Sequence, residues 1–107
     1  MTADAAEALA RSLRGQFAGF AGGIEIDEIA SRRWASITFT GARHRLSLRL
    51  AGPGAGAAAD AFLDGLGERE FDLKGHVVAD IALKGEVAED GEDAVRLTLE
   101  ALTVEAS

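Results

Sequence analysis

Short runs of alternating apolar and polar residues dominate this sequence. Leu46, Leu48 and Leu50 alternate with Arg45, Ser47 and Arg49, and Val95, Leu97 and Leu99 alternate with Arg96 and Thr98. A period of two gives a strand one apolar face and one wet face, the pattern of an antiparallel sheet covered on one side. Further along the same lines, Ala35, Ile37 and Phe39 alternate with Trp34, Ser36, Thr38 and Thr40, and Val77, Ala79, Ile81 and Leu83 share one parity. Ile24 and Ile26 begin another strand, but the pattern slips by Ile29, so this strand is expected to be short or bulged. Gly41-Ala42-Arg43 is expected to turn one hairpin, and Asp90-Gly91 a second. Leu102 and Val104 have the opposite parity to Leu99, which predicts a bulge near Ala101 or a strand end that packs through its other face.

Two segments carry helical spacing instead. Leu9, Leu13, Phe17 and Phe20 draw one apolar stripe behind Asp4, which with Glu7 resembles a capping box, and Gly22-Gly23 supplies a stop. After a Gly-Pro-Gly-Ala-Gly loop at 52–56, a second helix is expected from about Ala57 to Leu66, with Ala59, Phe62, Leu63 and Leu66 inward. An optional strand at Glu70–Leu73 precedes the last hairpin. The order is α-β-β-β-α-(β)-β-β. Two helices cannot cover both faces of such a sheet. The expected fold is therefore one α+β domain over residues 1–107, a two-layer sandwich with both helices on one face of a five- to six-stranded, mainly antiparallel sheet. This order is similar to that of the small acidic dimeric secretion chaperones, although the chain ends in a strand where those carry a third helix. The similarity is one of order alone, and implies a dimeric, chaperone- or adaptor-like module.

Composition narrows the chemistry. With no Cys, no Tyr and two His, the chain has no disulfide, thiolate site or thiol catalysis. No window approaches the ~20 apolar residues of a membrane span, and the N-terminal segment does not read as a signal peptide. A cytoplasmic protein, from a GC-rich bacterial genome by its Ala, Gly and Arg content, is the expectation. No cofactor and no metal set is expected. Gly52-Pro53-Gly54-Ala55-Gly56-Ala57 fits a loose dinucleotide fingerprint, but the half-wet strand before it and the hairpins after it do not suit parallel βαβ units. His44, beside Arg43 and Arg45 near the expected turn, reads as solvated. His76 and Asp80 share a parity but stand about 13 Å apart in a regular strand, too far for a direct bond.

Charge is segregated. The net charge is −7, yet no Asp or Glu occurs between Ala30 and Ala59, where Arg32, Arg33, Arg43, Arg45 and Arg49 give +5. Residues 60–107 carry −9. Either these arginines pair within the fold, or they form a patch for an acidic partner, a phosphate or the acidic end of a second copy; the acidic remainder argues against nucleic acid. The leading expectation is a non-enzymatic protein–protein interaction module acting as a homodimer through the open sheet face or an edge. Arg33, Trp34, Arg43, Arg45, Arg49 and Val78 are its candidate surface. The alternative is a small-ligand or anion-binding domain, with its site near the Gly52–Gly56 loop and the Arg43/Arg45/Arg49 strand.

Overall fold

The computed structural model describes residues 4–106, the side chain of Glu28 excepted; the first three residues of the N-terminal segment and Ser107 lie outside the described residues. Helix α1 spans Ala5–Gln16. Asp4 caps it, its carboxylate accepting from the Ala6 N–H at 3.2 Å. The helix ends at Gln16, earlier than Gly22-Gly23, so Phe17 follows it as the capping residue and still reaches the core. Strand β1 (Gly23–Ala35) pairs with β2 (Thr40–Ala51), and β2 with β5 (Ala94–Glu105). Between them lie α2 (Ala55–Leu63), a short 3-10 turn at Leu66–Glu68, β3 (His76–Leu83) and the two-residue β4 (Ala88–Glu89). All pairings are antiparallel, the strand order is β1-β2-β5-β3, and β4 pairs beyond β3 along the same edge of β5.

This is the expected α+β sandwich. Counting β1 as two segments either side of its bulge gives six strand segments, in the order α-β-β-β-α-β-β-β. One core joins both helices to one face of the sheet: Leu9, Leu13 and Phe17 of the first helix region, and Ala59 and Phe62 of α2, meet Leu46, Leu48, Leu50, Leu97 and Leu99. Phe17 and Phe62 touch directly, their ring centroids 4.8 Å apart.

Local details differ from the sequence reading at five places. The first two expected strands are one strand, bent by a bulge between Ile26 and Glu28 that accounts for the slipped pattern. The hairpin then turns at 36–39, not at Gly41-Ala42-Arg43. Ser36 fastens this turn: its N–H donates to the Phe39 carbonyl at 2.7 Å, and its hydroxyl accepts from the N–H groups of Thr38 and Phe39. Ile37 and Phe39, expected inside, consequently stand 106% and 56% exposed. In β3 a second bulge lies between Val78 and Asp80. It turns Val77 out to solvent and Val78 toward the core, the reverse of the uninterrupted alternation. The segment 70–73 is not a strand; only Leu73 makes an isolated bridge, to His76. No bulge occurs near Ala101, so Leu102 and Val104 lie on the face away from the helices.

Candidate functional site

The side of the sheet away from the helices is built in rows. Register places Trp34, Gly41, Val104 and Val77 side by side across β1, β2, β5 and β3. The next row is Arg32, Arg43, Leu102 and Asp80, and the next is Ala30, Arg45, Glu100 and Ala82. The first row is apolar. Its Val77 is exposed, and at the same end of the sheet the β1–β2 hairpin tip carries exposed Ile37 and Phe39. Exposed large apolar side chains gathered at one place are the uncommon feature of a soluble surface; scattered ones are not.

Trp34 lies across Gly41. A Cβ at that glycine would stand 2.9 Å from the indole Cζ2 and 2.0 Å from the Thr103 carbonyl oxygen, so only glycine lets the ring settle there. The indole Nε1 is shielded from solvent and has no hydrogen-bond partner among the described residues.

The arginines separate into three groups. At the far end of the open face, the Arg49 Nε donates to the Asp90 carboxylate at 2.8 Å, and Arg96 joins the same carboxylate at 3.0 Å and also Asp27. Two arginines and two aspartates form a neutral clasp, and the Asp90 carboxyl is held below the ordinary range chiefly by its hydrogen bonds from Arg49 and Arg96. Arg45 is only loosely paired, 4.0 Å from Glu100, which Lys84 approaches at 3.6 Å. Arg32 and Arg43 stand directly opposite one another with no ion pair among the described residues, and Asp80, at the other end of their row, has none either. Like charges set opposite each other on a sheet repel, so this arrangement costs stability in the isolated chain.

Arg33 and Val78 are on the other side. They share a row with Ala42 and Thr103 on the helix-covered face. Arg33 lines a cavity of about 210 Å³ together with Asp4, Ser31, His44, His76 and Glu105. His44 is not solvated but 2% exposed. It shares the core parity of Leu46, Leu48 and Leu50, and with the turn at 36–39 it lies within β2 and not beside the turn. The Nδ1 meets the Ser31 hydroxyl at 2.7 Å and the Nε2 meets the Thr103 hydroxyl at 2.8 Å. Thr103 in turn donates to the Ala42 carbonyl at 3.4 Å. With the ring proton on Nε2, every member of this chain is satisfied: Ser31 donates to Nδ1, and Nε2–H donates to Thr103. Burial lowers the His44 pKa, and His76 lowers it further against an opposing pull from Asp4. Both ring nitrogens are occupied, which leaves neither for a metal or a substrate. Among the described residues, no cluster of three or more His, Asp or Glu is placed to hold a metal ion.

The alternative site comes apart spatially. Ala55 and Ala59 of α2 press directly on the sheet, and the nearby groove, about 490 Å³, lies between α2 and the segment 16–21, lined by Phe20, Pro53, Gly54, Ala57 and Arg69 among others. Arg43, Arg45 and Arg49 project from the opposite face of β2. Of the six candidate surface residues, the structure gathers Trp34, Arg43, Arg45 and Arg49 on the open face and puts Arg33 and Val78 on the covered one. Arg32, Ile37, Phe39 and Val77 are the members that sequence reasoning missed, whereas Asp80 stands on the outward parity of its strand as its alternation with Ile81 and Leu83 indicates. The signal for Arg32 was its place in the acid-free stretch; the other three depended on where a turn and a bulge fall. No helix among the described residues is long and apolar enough to cross a membrane. The chain matches no protein-family model, no curated protein and no solved structure.

Proposed function

We propose that this protein is a protein–protein interaction module that acts as a homodimer and docks through the open face of its sheet. The observation that carries this reading is the apolar row at one end of that face, Trp34, Val104 and exposed Val77, at the same end of the sheet where the hairpin tip exposes Ile37 and Phe39. Aromatic and aliphatic side chains with arginines around them are the composition of an interface centre and its surroundings. The net charge of −7 favours a protein partner over a nucleic acid. Sedimentation of the full chain at micromolar concentration is expected to show a species of twice 11.1 kDa. Val77→Glu, a change at an exposed position, is expected to shift it to the single-chain mass while the circular dichroism spectrum stays unchanged. A parent chain that sediments only at 11.1 kDa defeats the reading.

A further inference from the structure

Two rows of the open face are polarised across the strands, with arginine on the β1–β2 side and acid on the β5–β3 side. Arg32 and Arg43, on β1 and β2, and Asp80, on β3, lie in one row and have no ion pair among the described residues. Arg45 and Glu100 repeat the same polarity one row further on. Along the strands the gradient is different: an apolar row at one end, a self-neutralised clasp of Arg49, Asp90, Arg96 and Asp27 at the other.

A face with these two gradients fits a second copy of itself in one orientation. A two-fold axis running along the strands, between two stacked sheets, keeps each row opposite itself but reverses its left–right order. Arg32 then faces the Asp80 position of the second copy, Arg45 faces the Glu100 position, and the Trp34 end meets the Val77 end. A two-fold axis across the strands does the opposite. It sets the apolar row against the clasp, burying charged groups against side chains that offer them nothing. Stacked sheets lie about 10 Å apart, a gap that arginine and aspartate side chains reaching from both sides can close. The area is adequate. Three strands of 12 or 13 residues beside the eight-residue β3, at the usual spacing of about 4.8 Å, make a face on the order of 700 Å², close to the ~800 Å² per partner of a stable complex.

We infer that the partner on the open face is a second copy of this chain, related by a two-fold axis along the strands, with Arg32 of each copy paired to Asp80 of the other. This rests on the docking reading above and adds its geometry and its specificity. A two-fold contact is self-complementary by construction, and here both gradients meet that requirement at once. Arg32 gains an opposite charge across the contact while Arg43 faces the Leu102 position, so the repulsion between Arg32 and Arg43 is lessened on association.

A charge exchange tests it. Arg32→Glu places two acidic pairs in its own homodimer, and Asp80→Arg places two basic pairs in its own. Each variant is expected to self-associate about tenfold more weakly than the parent in sedimentation equilibrium. Mixed in equal amounts they regain opposite charges at both contacts, and a heterodimer of near-parental affinity is expected. Both positions are exposed, so the variants should keep the parent's circular dichroism spectrum. If the parent dimerises but neither variant weakens it, or mixing restores nothing, the axis is wrong while the docking face stands. If the parent is monomeric and Val77→Glu changes nothing, both the face and the axis are overturned.

Discussion

His44 shows how one side chain changes character with its surroundings. Flanked by arginines in sequence, it sits on the core parity of β2 with a hydroxyl on each nitrogen. Burial disfavours its charged form in the folded chain, whereas the unfolded chain takes up the proton near pH 6.5. Below that pH the unfolded state binds more protons, so stability falls. The urea midpoint is therefore expected to hold steady above about pH 7 and to decline as pH drops through 6.5 toward the lower folded value. His44→Asn should be less stable at neutral pH but show a shallower decline. An equal slope in parent and variant would place the acid sensitivity elsewhere.

At the scale of elements, the β1–β2 hairpin is held by the close approach of Trp34 and Thr103 over Gly41. Gly41→Ala is expected to cost about 1–3 kcal/mol in urea unfolding, because the 2.0 Å approach is to a backbone oxygen that cannot rotate away. This hairpin is also where the sequence was least legible. Leu46, Leu48 and Leu50 announced their strand and face correctly, since both depend only on local alternation. Ile37, Thr38 and Phe39 are strong strand formers by propensity, and that preference hid a turn whose signal was the single Ser36 hydroxyl. The bulges at Ile26/Glu28 and Val78/Asp80 insert one residue each, and a period-two reading loses its phase at such a point. Val78 was placed on the open face for that reason.

For the whole molecule, the segregation of arginine from acid was visible in the sequence, but which arginines are satisfied was not. Arg49 finds Asp90 from 41 residues away through a turn that brings β5 beside β2, a pairing that only the assembled sheet provides. On the open face, Arg32, Arg43 and Asp80, which have no ion pair among the described residues, set the expected response to salt. Raising ionic strength from about 50 mM to about 500 mM should weaken self-association several-fold, since these contacts lie at the surface and are screened. Association unchanged by salt would assign the contact to the apolar row alone. That row contains the chain's one tryptophan, and the chain has no tyrosine. Intrinsic fluorescence therefore originates from a single spot, over Gly41 at the margin of the open face. Whatever settles on that end of the sheet alters the wavelength and quenching of this one emitter, so the molecule carries its own optical reporter of occupancy without any attached dye.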